Sequence, residues 1–326
     1  FRLVKMTSEV LQKIKIGISS CLMGEEVRFD SGHKRNTYVT ETLQDYFEFA
    51  PFCPEVSIGL GIPRETIRLV TVDDEIRCVG TKSPDLDVTK ELYQSADDQK
   101  GWHADLSGYI LKKDSPSCGM ERVKVYKGIE KGKMAEKSGI GLYAKRLMEN
   151  FPHLPIEEEG RLSDPRLREN FIQRVYIYAR WQEMARAGFS IAGLQAFHAQ
   201  HKYIFMSHNQ NLGRSLGASL ANSDKDIDSL ALEYLGLMMT LLKSIATVKN
   251  HVNTLQHIQG YLKNDLDAGD KEELRATIED YQKFLLPLIV PITLLRHHFR
   301  RHPKGYIENS FYLRPHPGEM MLLNHI

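Results

Sequence analysis

Cysteine is scarce in this chain, with 4 in 326 residues, which excludes the disulfide framework of a small secreted domain. An excess of either charge sign is also missing: 43 Lys and Arg stand against 42 Asp and Glu. That balance excludes a protein that coats nucleic acid or membrane through net charge, leaving local basic patches as the only route. Long hydrophobic runs are absent. The most apolar stretch, FLLPLIVPITLL at 284–295, is too short to span a bilayer and is interrupted by Pro287 and Pro291. The opening FRLVKMTSEVLQKIKIG has no continuous apolar core of signal-peptide length, so a cytoplasmic chain without membrane contact is expected. No internal repeat or low-complexity tract appears. What remains is 42% hydrophobic and 26% charged residues, enough for two domains with a core each.

The two halves read differently. Up to about residue 155, short β-type runs (KIKIGIS, YFEFAPFC, IRLVTV, EIRCVG, LSGYILKK, ERVKVY) alternate with loops and helical segments. This pattern predicts a layered, Rossmann-like α/β domain with a mostly parallel sheet over residues 1–160, closed by a helix within SGIGLYAKRLMENF. Strand signals stop at HLPIEEEGRLSDP, and residues 161–326 read as an all-helical domain. Asp164 before Pro165 is an N-cap with proline at the first helical position, opening a helix that runs to Gly188. Ser190 opens the next, SLALEYLGLMMTLLKSIATV reads as a mostly buried helix, and Asp270 with Glu273 resembles a capping box for the last long one.

Three cysteines fall in turns that follow predicted strands: Cys21 after KIKIGISS, Cys53 after FEFAPF, and Cys118 after YILKKDSPS. In an open parallel sheet, ligands sit in the crevice beyond the carboxyl ends of the strands, where all three thiols would arrive. Cys78 lies inside the strand-like EIRCVG and reads as a half-buried structural thiol. The three turn cysteines are too far apart in sequence for a local zinc knuckle or a ferredoxin run. Ordinary core cysteines, a redox pair, zinc with three thiolates and an open position, and an iron–sulfur cluster with one iron free all stay open.

Three blocks, SSCLMGEEVRFDSGHKRN, PFCPEVSIGLGIPRETIRLV and KKDSPSCGMERVKVY, resemble in order the TudS-like thiouracil desulfidases over residues 14–155. The helical half, with FHAQHKYIFMSHN, LLRHHFRRHP and YLRPHPGEMMLLNH, resembles the YbgA-type domain fused to that family. The resemblance implies a [4Fe–4S] cluster held by Cys21, Cys53 and Cys118, whose fourth iron binds the sulfur of a thiolated nucleobase. It implies a non-redox conversion of C=S to C=O with loss of sulfide, and places Glu55 and Ser115 at the family's catalytic pair. Met23 stands where leucine is more usual, and Cys78 has no counterpart.

The chemistry of these residues agrees with that expectation. Thiolates are the soft ligands such a cluster needs, and an open iron is a Lewis acid for thiocarbonyl sulfur. Water must attack the carbon, which calls for a base nearby. Glu55, two residues after Cys53, is the candidate, and Ser115, three before Cys118, is placed to orient water or leaving sulfur; turn-capping roles are the plain alternatives. Asp30, His33, Lys34, Arg35 and Arg64 are candidate contacts to base or phosphate, with a solvated basic turn as the alternative.

On the helix after Ser190, His198, His201, Phe205 and His208 share one face. They read as interdomain hydrogen-bonding groups, with a phosphate stripe or a metal site as the other options. RHHFRRHP at 296–303, at the end of the last helix, would meet helix-end carbonyls or a nucleotide phosphate. The expected partner is a small thiolated nucleobase or its nucleotide; for a thiolated tRNA, or a protein partner of the helical half, the sequence carries no distinct signal. The rivals to a desulfidase are a cluster that senses redox state while the helical half binds a partner, and a structural zinc protein.

Overall fold

The computed structural model describes residues 13–129, 134–221, 225–316, 320 and 322–324; most of the opening segment read above lies outside them. The chain divides into two compact units, Phe1–Arg161 and Leu162–Ile326.

In the first unit, β1 (Ile14–Ser19) and β2 (Phe47–Phe52) are followed by the single turn α1 (Pro54–Ser57). Next come β3 (Ile67–Val72), β4 (Glu75–Gly80), α2 (Thr89–Asp98) and α3 (Lys100–His103). Then follow β5 (Gly108–Leu111), β6 (Val123–Lys127), β7 (Ala135–Gly139), α4 (Leu142–Asn150) and β8 (Ile156–Glu158). One sheet has the order β2-β1-β5-β8 and every pairing in it is parallel. A second sheet, β4-β3-β6-β7, is mixed, with one parallel pair, β3 with β6. The six expected strands are all present. β7 and β8 were not legible: AEKSG and IEE have neither alternation nor β-branched runs.

β5, Gly-Tyr-Ile-Leu, is buried along its whole length, as a central parallel strand must be. Gly17 on β1 lets it pass: a Cβ there would stand 2.4 Å from the Tyr109 ring. β1 has β2 on one side and β5 on the other, so the chain order reverses at β1. That reversal opens a crevice at the carboxyl ends of these three strands.

The second unit is helical: α5 (Pro165–Ala187), α6 (Ile191–His208), α7 (Gln210–Ala218), α8 (Ile227–Lys243) and α9 (Val248–Gln259). It continues with α10 (Ala268–Gln282), α11 (Ile289–Arg301) and α12 (Gly305–Glu308). Asp164 caps α5 by accepting from the Arg166 and Leu167 amides, Gly188 ends it at φ 89°, and Ser190 caps α6. Two boundaries differ from expectation. Asp267, not Asp270, caps α10, and Asp270 is the residue whose amide it accepts. The expected last helix is two, because α10 stops at Gln282 ahead of Pro287 and α11 starts afresh at Ile289. Among the described residues no single helix is long and apolar enough to cross a membrane.

The histidine stripe faces inward. His201 is fully buried and donates Nδ1–H to the Phe197 carbonyl at 2.8 Å, while His208 sits between the Ser244 carbonyl and the Gln173 side chain, both at 2.5 Å. His198 bonds the Tyr234 hydroxyl. These partners all belong to the helical unit, so the interdomain reading is corrected: His198 and His208 tie α6 to its own neighbours, and His201 bonds back within α6. Burial lowers the pKa of His201 to about 3 and that of His208 to about 4.

Candidate active site

The carboxyl ends of β1, β2 and β5 deliver Cys21, Cys53 and Cys118 to one cavity of about 290 Å³. Cys21 lies in a short 3-10 turn directly after β1. Cys53 is the N-cap residue of α1, with Pro54 at the first helical position. Cys118 lies in the loop between β5 and β6. This loop rests on the start of α4, whose first amides donate to it: Leu142 N–H to the Pro116 carbonyl and Ala144 N–H to that of Ser117. Two of the orphan donors of that helix are thereby satisfied by the loop that carries the thiol.

All three thiols hold their protons more tightly than a free cysteine, chiefly because burial disfavours the thiolate. Cys21 is pushed up to about 11, with Lys112 and Arg28 opposing the rise. Cys53 is raised by burial and pulled back by the Val56 and Glu55 amides and by Arg64. Cys118 is raised by burial and then by Cys53. Cys78 lies elsewhere, fully buried in the core formed by Ile67, Leu69, Val123 and Val125. It is more deeply placed than the half-buried position expected of it.

Glu55 lines the same cavity and is held at both oxygens. Ser117 Oγ donates to Oε1 at 2.7 Å, and Arg64 donates to Oε2 through Nε at 2.9 Å and Nη2 at 2.8 Å. Ser115 Oγ accepts from the amides of Ser117 (3.3 Å) and Cys118 (3.1 Å) and lies 2.9 Å from Ser117 Oγ. With its lone pairs so occupied, the Ser115 hydroxyl proton points to Ser117. The direction of the chain is therefore Ser115 to Ser117 to the Glu55 carboxylate.

Ser117 was missed in the sequence, where two serines flanking Pro116 gave no reason to choose the second. Only the strand-end convergence makes it the bridge between the two expected catalytic residues.

The expected substrate contacts divide. Lys34 and Arg64 line the cavity. Arg64 also donates to Glu55 and to the Val27 and Gly61 carbonyls, which ties it to the carboxylate. Asp30 is turned to its own loop, accepting from Gly32 N–H and lying 3.5 Å from Arg28. His33 accepts from the Arg35 amide, and Arg35 bonds Thr40 and faces Glu41. Asp30, His33 and Arg35 are not among the cavity's lining residues; Arg28, Phe29, Lys112 and Lys113 are.

Among the described residues no group of three or more His, Cys, Asp and Glu is placed to hold a metal ion. Cys21, Cys53 and Cys118 all line the same cavity.

Comparison with known proteins agrees with both halves of the expected resemblance. Residues 16–159 match the family of 2-thiouracil desulfurases, and residues 202–317 match DUF1722, a protein family of unknown function. The uncharacterized protein YbgA of Escherichia coli (strain K12) is 24% identical over 154 residues, 47% of this chain and 91% of that protein. The solved structure of the [4Fe-4S]-dependent thiouracil desulfidase TudS is 28% identical, covering 46% of this chain and 94% of its own, with a TM-score of 0.36. The first half of the chain is thus similar to 2-thiouracil desulfurases and the second half to DUF1722 proteins.

Proposed function

We propose that the first unit removes sulfur from a thiolated uracil or its nucleotide, C=S plus water giving C=O plus sulfide, with a [4Fe–4S] cluster held by Cys21, Cys53 and Cys118. The observation that carries this reading is the meeting of three thiols and the Ser115–Ser117–Glu55 chain at one cavity. The donor set fits such a cluster. Three cysteine thiolates are the soft donors such a cluster takes, and all three line one cavity. Arg28, Lys112 and Arg64 stand near the thiols and offset the negative charge that ligation brings. When bound, the cluster supplies an iron without a protein ligand, a Lewis acid for the soft sulfur of the substrate.

The protein's own groups supply the rest. Arg64 fixes Oε2 of Glu55, leaving Oε1 as the oxygen that takes the proton released by the attacking water. Ser117 keeps that oxygen aimed into the cavity, and Ser115 keeps Ser117 in register. Phe52 and Phe29 give the cavity apolar walls suited to a flat ring. Lys34, Lys112 and Lys113 line it as well, which favours a substrate carrying phosphate over the free base.

Anaerobic reconstitution with ferrous iron and sulfide, followed by incubation with 4-thiouracil and its 5′-monophosphate, tests the reading. Uracil product, lost in Cys21→Ser, Cys53→Ser and Cys118→Ser but kept in Cys78→Ser, is expected. Undiminished iron content in Cys53→Ser overturns the ligand assignment.

A further inference from the structure

The three consecutive glutamates at the end of β8 are all buried: Glu157 at 3%, Glu158 at 6% and Glu159 at 8% exposure. Adjacent buried carboxylates are costly unless each is paired or hydrogen-bonded. Here the loop that carries Ser115, Ser117 and Cys118 supplies most of the partners. Glu159 Oε2 accepts from the Lys113 amide at 2.7 Å, and its Oε1 accepts from Lys112 Nζ at 2.5 Å. Glu158 Oε1 accepts from the amides of Met120 (2.8 Å) and Glu121 (3.4 Å). Glu157 accepts from Arg161, which also reaches Glu121.

One carboxylate thus grips the loop just before Ser115 and another grips it just after Cys118. The parallel pairing of β5 with β8 explains why, since it brings the carboxyl ends of both strands to the same sheet edge. Two residues of the gripped loop are in the left-handed region, Asp114 (φ 59°) just inside the first grip and Arg122 (φ 56°) just past the second. A non-glycine backbone keeps that conformation only where its surroundings enforce it.

We propose that Glu158 and Glu159 are positioning residues that hold the Cys118 loop in its ligand-bearing shape; the functional part of this assignment rests on the reading of the site given above. Glu158 acts on the thiol end of the loop through two amides. Glu159 acts on the opposite end and also keeps the Lys112 ammonium at the cavity wall.

Hydrogen exchange and iron loading test this independently of turnover, on the full chain. In Glu158→Ala the amides of Met120 and Glu121 exchange at least tenfold faster, and iron retained after anaerobic reconstitution with ferrous iron and sulfide falls at least threefold. Glu158→Gln, which keeps an acceptor oxygen, restores both. Glu159→Ala speeds exchange at Lys113 and reduces iron less, because Cys118 lies at the far end. A control, Glu149→Gln on the exposed face of α4, changes neither. Unchanged loop exchange and iron content in a folded Glu158→Ala overturns the proposal; should that variant not fold, unchanged Lys113 exchange in Glu159→Ala overturns it. Altered exchange and iron in a chain that never releases sulfide leaves the clamp standing and removes the desulfidase reading instead.

Discussion

Ser117 Oγ lies 2.7 Å from Oε1 of Glu55, a hydrogen bond between residues 62 apart in sequence that joins the loop after β5 to the turn after β2. A hydrogen bond to a charged group contributes about 1.5–3 kcal/mol, equivalent to roughly one to two decades in rate. Ser117→Ala should therefore keep its iron and lower sulfide release from 4-thiouracil by about 10- to 100-fold. Ser117→Thr, which keeps the hydroxyl, should recover part of that loss. Initial rates normalised to iron content check both; an unchanged rate in the alanine variant would remove Ser117 from the chain.

Arg64 and Glu55 form a half-buried ion pair, with the arginine also serving two carbonyls. Removing the cation strands both a carboxylate and those acceptors. Arg64→Ala should destabilise the first unit by about 2–4 kcal/mol. Arg64→Lys keeps the charge but not the fork that reaches Glu55, Val27 and Gly61 together, and should recover less than half. Urea denaturation of the metal-free variants measures this.

Gly141 stands where α4 meets the Cys118 loop. A Cβ there would lie 2.5 Å from the Ser117 carbonyl carbon and 2.8 Å from the Cys118 nitrogen, both backbone atoms that cannot swing aside. Its φ of −59° is open to any residue, so the constraint is steric alone. Gly141→Ala should cost about 1–3 kcal/mol and release iron readily. Gly101→Ala, with nothing within 4 Å of the added Cβ, should do neither.

The helical unit should be most stable near pH 6.5. His201 and His208 are buried neutral, with pKa values lowered to about 3 and about 4 by burial. On the acid side the unfolded chain binds protons that the folded one refuses, so stability falls as pH drops below about 6.5. Glu169 runs the other way: burial raises it to about 8, so the folded chain holds an extra proton between about 4.5 and 8, and stability declines as pH rises through that window. Each uncompensated proton is worth about 1.4 kcal/mol per pH unit. Denaturant midpoints from pH 4.5 to 8.5, followed by Trp181 fluorescence in a Trp102→Phe background, test it. His201→Gln and His208→Gln should flatten the acid limb, and Glu169→Gln the alkaline one.

What could be read in the sequence was what local chemistry announces. Cys21 and Cys53 follow apolar strands directly, and Asp164-Pro165 names a helix start without tertiary help. Spacing put His201 and His208 on one face, but periodicity says which residues align, not whether the face looks inward. β8 was illegible because its identity comes from pairing with β5 and from loop amides that donate to Glu158 and Glu159, partners contributed by residues about 40 positions away. The same limit hid Ser117 and the pairing of Arg64 with Glu55, each set by the other side chain it meets.

The measurement closest to the central claim is isotopic. Anaerobically reconstituted protein is incubated with 4-thiouracil and its monophosphate in water enriched in oxygen-18, and uracil product and sulfide are quantified together. The account predicts one sulfide per uracil, with oxygen-18 at the carbon that carried sulfur and no consumption of an external reductant or oxidant. Glu55→Gln, with its iron content intact, should slow that exchange by roughly 10²–10⁴-fold. A fully loaded protein that yields no labelled uracil, or a Glu55→Gln variant as fast as the parent chain, would contradict it.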